Sequence, residues 1–66
     1  MNIIINGEQR AVATDISIAQ ILETYKIIPT TIVVELNESI IQSDTYARRC
    51  LAEGDRLEFI RFVGGG

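Results

Sequence analysis

The residues best suited to chemistry are Gly64-Gly65-Gly66, and the reactive group they offer is a main-chain carboxylate at Gly66. Glycine has no Cβ, so a run of three loses much conformational freedom when ordered and contributes little to a packed fold. The same property lets the run thread a narrow channel and take backbone angles barred to other residues. Extended, it reaches about 10 Å past the last strand, enough to place a carboxylate inside another protein's active site. The plain reading against this is a frayed end with no task. A carboxylate is a poor electrophile and needs activation. Joined to AMP it becomes an acyl-adenylate, and a sulfur nucleophile that displaces AMP leaves a thiocarboxylate at Gly66. Tethered sulfur delivered in reactive geometry gains up to ~7–11 kcal/mol in well-oriented intramolecular cases.

No side chain here supplies that activation. The sequence has no histidine, no phosphate-binding loop of the G-x-x-x-x-G-K-[ST] kind and no cluster of metal ligands. The chain is therefore expected to be no enzyme and to bind no cofactor, with ATP and Mg consumed by a partner. Cys50 lacks a neighbouring histidine to lower its pKa, so it reads as a small hydrophobe in or near the core rather than a nucleophile. Arg48, Arg49, Glu35, Glu38 and Asp44 read as solvated charge, the carboxylates lying on different elements without paired spacing. Asp55 reads as a shaper of the turn at Glu53-Gly54-Asp55.

Composition narrows the partners. Sixty-six residues make one small domain, 47% hydrophobic with a formal charge of -3, which fits a globule expected to be a monomer alone. The sequence pI is near 4.6 and the basic residues are scattered, so nucleic acid is a poor partner. Acidic surfaces suit protein partners with basic clefts. A lone cysteine gives no intramolecular disulfide. The start lacks the basic flank and long apolar stretch of a signal peptide, and no stretch approaches the ~20 apolar residues of a membrane span. A cytoplasmic location is expected.

The elements that position the glycines follow from patterning. Residues 1–5 are isoleucine-rich and stop at Asn6-Gly7, a hairpin dipeptide. Residues 9–13 return as a second strand. Ser17 and Gln20 have capping-box spacing, Ile16 and Ile21 have staple spacing, and Ile18, Ile21, Leu22 and Tyr25 form one apolar stripe. Together these predict a helix of two to three turns that ends before Pro29. Residues 31–36 read as a third strand, Asn37-Glu38 as a turn, and Ile40-Ile41 as a short fourth strand. Residues 44–47 are expected to form a helical turn capped by Ser43 or Asp44, and residues 56–62 the last strand. This order predicts an α+β, β-grasp arrangement: one mixed sheet of four to five strands with a main helix across one face, and first and last strands parallel at its centre. Residues 1–63 form the globular domain and 64–66 the tail.

The last strand carries a second cue. Leu57 and Phe59 fall on one face while Ile60 and Phe62 fall on the other, so neither face is polar. A single helix covers one face of a sheet and leaves the other to solvent. Some apolar residues on that face are ordinary. The functional expectation is a docking patch of Ile60 and Phe62 with Val33, placed where the tail departs.

The Asn6-Gly7 turn, the helix opening from Ser17 to Leu22, Glu53-Gly54-Asp55 and the ending Phe62-Val63-Gly64-Gly65-Gly66 together resemble the ThiS-type sulfur carriers of thiamin biosynthesis, over essentially the whole length. The resemblance implies a ubiquitin-like fold in which Gly66 is adenylated by a ubiquitin-activating-like adenylyltransferase. It also implies sulfur from a cysteine desulfurase or similar enzyme, and thiazole synthase as the acceptor. The small subunit of molybdopterin synthase shares these features but is generally longer. A carrier for tRNA thiolation and a ubiquitin-like modifier would also use a glycine ending of this kind, and an interaction module would leave it idle.

Overall fold

Residues 1–62 are described by the structure, a computed structural model. Two dipeptides set its hairpins. At Asn6-Gly7 the φ angles are 49° and 83°, and at Asn37-Glu38 they are 50° and 73°. Positive φ at both central residues is the turn geometry whose twist matches that of the flanking strands. The first turn joins β1 (Asn2–Ile5) to β2 (Glu8–Ala11), and the second joins β3 (Ile32–Leu36) to β4 (Ser39–Ile41).

The last strand, β5 (Arg56–Arg61), lies between the hairpins. Strand order is β2-β1-β5-β3-β4. β5 is parallel to β1, with Ile4 opposite Arg56 and Ile5 opposite Leu57. It is antiparallel to β3 over five pairs, from Ile32–Arg61 to Leu36–Leu57. The result is one mixed five-stranded sheet of the β-grasp kind, with β1 and β5 parallel at its centre as expected.

The single α-helix among the described residues, α1 (Ile18–Thr24), starts where the sequence places it. Ser17 Oγ accepts from Gln20 N at 3.1 Å, and Gln20 Oε1 accepts from Ser17 N at 2.9 Å. Two further amides of the first turn bond the β4–β5 connection: Ile18 N donates to Arg49 O at 2.9 Å and Ala19 N to Tyr46 O at 3.0 Å. A helix start normally leaves its first amides unpaired; here the protein's own carbonyls close it, which fixes the long connection to the helix.

The helix stops earlier than Pro29 requires. Tyr25 is its C-cap and Lys26 takes φ 57°. Lys26 N donates to Glu23 O at 3.1 Å and Ile27 N to Leu22 O at 2.8 Å, the paired bonds of a Schellman cap. The apolar stripe is accordingly shorter than the spacing predicts. Ile18, Ile21 and Leu22 are buried, whereas Tyr25 is 38% exposed, its ring 6.0 Å from the Arg10 guanidinium.

Ile3, Ile5, Val34, Leu36 and Leu57 from the sheet meet the helix residues in one core that also holds Tyr46 and Leu51. Three further expectations need correction. Cys50 is exposed, although its backbone forms an isolated bridge with the buried Ser17. The turn after β4 is a 3-10 helix, Ser43–Thr45, whose N-cap is Gln42 and which has no side-chain cap. Pro29–Thr31 forms another 3-10 turn, so β3 starts one residue later than the sequence suggests.

Candidate functional site

β5 is held on both sides by asparagines from the hairpin turns. Asn6 Oδ1 accepts from Phe59 N at 2.8 Å, and Asn37 Oδ1 accepts from Arg56 N at 2.9 Å. Asn37 Nδ2 donates to Asp55 Oδ1 at 3.1 Å, while Asp55 Oδ2 accepts from Ala52 N at 2.8 Å. Asp55 thus shapes the turn before β5, as its position suggests, and ties that turn to the β3–β4 hairpin. Phe62 N donates to Thr31 O at 3.3 Å, extending the fixed path of the chain one residue past the strand. Gly64, Gly65 and Gly66, the expected reactive tail, lie outside the described residues.

The strand divides its side chains as alternation requires. Leu57 is fully buried and Phe59 half-buried on the helix side. Ile60 is 44% and Phe62 65% exposed. Val33 is half-buried and directly opposite Ile60, and directly opposite residues share a face. The structure therefore brings Val33 and Ile60 together on the open face of the sheet, with Phe62 next along the chain.

Two further residues of that face escaped sequence reasoning. Ile40 on β4, 64% exposed, stands opposite Glu35, and Glu35 stands opposite Glu58. The signal for Ile40 was its neighbour Ile41, which is buried: period two sends one of the pair outward. Glu58 could be placed only once the β3–β5 register was known. Beside this mostly apolar face, no group of three or more His, Cys, Asp or Glu side chains could hold a metal ion among the described residues. None of their helices is long and apolar enough to cross a membrane.

Comparison with known proteins agrees with the geometry. A model of the ThiS family matches residues 3–66. The chain is 29% identical to a thiamine biosynthesis protein, ThiS, from Geobacter metallireducens, whose crystal structure superposes with a TM-score of 0.88 over the full length of both chains. A solution structure of a thiamine biosynthesis protein from the same organism gives 0.80 at 29% identity, covering all of this chain and 88% of that one. Thiazole synthases of Paramagnetospirillum magneticum and Magnetococcus marinus are 32% and 30% identical over all 66 residues. The chain spans about one fifth of the length of these two curated relatives, 20% of each. The β-grasp sheet and the match over residues 3–66 agree, and the chain belongs to the ThiS family.

Proposed function

We propose that the terminal carboxylate of Gly66 carries the sulfur destined for the thiazole ring of thiamin. The carboxylate attacks the α-phosphorus of ATP on a ubiquitin-activating-like adenylyltransferase, and pyrophosphate leaves. A sulfur nucleophile supplied through a cysteine desulfurase or a similar enzyme then attacks the acyl carbon, AMP leaves, and Gly66 ends in a thiocarboxylate. Thiazole synthase accepts that sulfur. The chain itself is a carrier and not a catalyst. The observation that supports this reading best is the family match through residues 3–66, on a fold whose central strand leads toward the glycines.

Thiazole synthase as acceptor draws support from the two curated relatives, in which a region like this chain belongs to a protein about five times its length that bears that name. Joining two modules in one chain raises their effective concentration without new contacts. A carrier on a separate chain needs a docking surface instead, and the face of Val33, Ile60 and Phe62 is suited to that role. An Ile60→Asp, Phe62→Ser double variant is expected to keep the wild-type circular dichroism spectrum, at a lower urea midpoint because a third carboxylate joins the face, while losing sulfur transfer to thiazole synthase. Wild-type transfer by that variant counts against the docking face, and full function after removal of Gly65 and Gly66 counts against the tail.

A further inference from the structure

The open face carries two carboxylates that pair with no cation among the described residues. Glu35 and Glu58 are register partners on β3 and β5, so their side chains rise from one face with Cβ atoms about 4.5–5.5 Å apart. Like charges in that position repel and weaken the sheet. Among the described residues the one ion pair joins Arg10 to Glu8 on β2. Arg56, two residues from Glu58 and on the same face of β5, pairs with neither carboxylate. Apolar side chains flank the two acids. Ile40 is opposite Glu35 on its other side, and Val33 with Ile60 forms a neighbouring rung.

We propose that Glu35 and Glu58 together receive an arginine of the docking protein, whose guanidinium bridges them while Ile40, Val33, Ile60 and Phe62 meet an apolar surface around it. The proposal rests on the carrier reading and specifies what its acceptor, thiazole synthase, presents to this face. The chemistry favours arginine. A guanidinium is a planar fork of five donors that matches two acceptor groups, whereas an ammonium is a compact point charge. Closing the apolar rim removes water, which strengthens the attraction between the charges. It also makes an unpaired carboxylate costly, so a surface without the cation is rejected. A second copy of this chain docking by a two-fold contact centred on the pair would bring carboxylates against carboxylates, which disfavours that contact.

The test uses purified full-length thiazole synthase from the organism that supplies this chain. Its affinity for the wild type and for a Glu35→Gln, Glu58→Gln double variant is measured by calorimetry at low and physiological salt. The variant is expected to bind about tenfold more weakly, with a flatter salt dependence, and yet to unfold at higher urea because the repulsion is gone. Weaker binding by a more stable protein separates a recognition role from damage to the fold. Unchanged affinity and salt dependence overturn the role of the pair and leave the carrier reading standing. No binding by the wild type overturns thiazole synthase as acceptor, and the proposal with it. A wild-type dimer in sedimentation that the variant dissolves assigns the face to a second copy and overturns it also.

Discussion

At the scale of single residues, Asn6 and Asn37 show how a turn residue holds a distant strand. Each sits at positive φ, where an L-residue other than Gly, Asn or Asp pays roughly 1–2 kcal/mol, and each accepts from a β5 amide. Replacing Asn6 by glycine keeps the turn and loses the bond to Phe59 N, so we expect a loss of about 1 kcal/mol. Replacing it by alanine adds the strain and is expected to lose about 2–3 kcal/mol. Urea midpoints of the two variants check the order; equal losses would refute it. The turn was legible because Asn-Gly is a local signal. The clamp was not, because Phe59 lies 53 positions away and nothing near Asn6 points to it. Glu58 was hidden for the same reason, whereas Ile60 and Phe62 were exposed by alternation within their own strand.

At the scale of the element, α1 is a helix of only seven residues, too short to persist alone. Its ends and its core contacts therefore decide its stability. Ser17→Ala removes the acceptor for Gln20 N and is expected to cost about 1 kcal/mol. Lys26→Gly acts in the opposite direction: relief of the left-handed strain at φ 57° exceeds the entropy glycine gains in the unfolded chain, for a net gain of up to about 1 kcal/mol. Thermal unfolding of both variants checks these signs, and a Lys26→Gly variant less stable than wild type would rule out strain relief at the cap. The start of α1 was legible because a capping box is written in four consecutive residues. The stop was legible only as a bound, before Pro29, since a left-handed lysine just past the C-cap carries no sequence signal.

At the scale of the whole molecule, the helix covers one face of the sheet and leaves the other open, and one core carries stability. Tyr46 belongs to that core, although it comes from a connection that reads as irregular. Burial raises its pKa above the ordinary value of 10.0, offset in part by a hydrogen bond with the backbone of Val34. Well below pH 10 the phenol is neutral in both folded and unfolded chains and adds no pH dependence. Above it the unfolded chain ionises first, so this part of the stability is lost as pH rises through the folded-state value. Tyr46→Phe is expected to flatten the alkaline fall in urea midpoint; an unchanged fall would place its origin elsewhere. The β-grasp arrangement as a whole was legible from element order, because one helix among five short strands leaves few ways to bury a single core. The proposed chemistry rests on the glycines alone. Sulfur loading is read most simply from the intact mass of the protein after incubation with ATP, Mg, cysteine and a desalted lysate of its source, beside a form lacking Gly66. A carrier gains the mass difference of one sulfur in place of one oxygen, located at Gly66 and absent from the truncated form. A mass that stays unchanged under conditions that convert a known carrier would overturn the assignment of sulfur to Gly66.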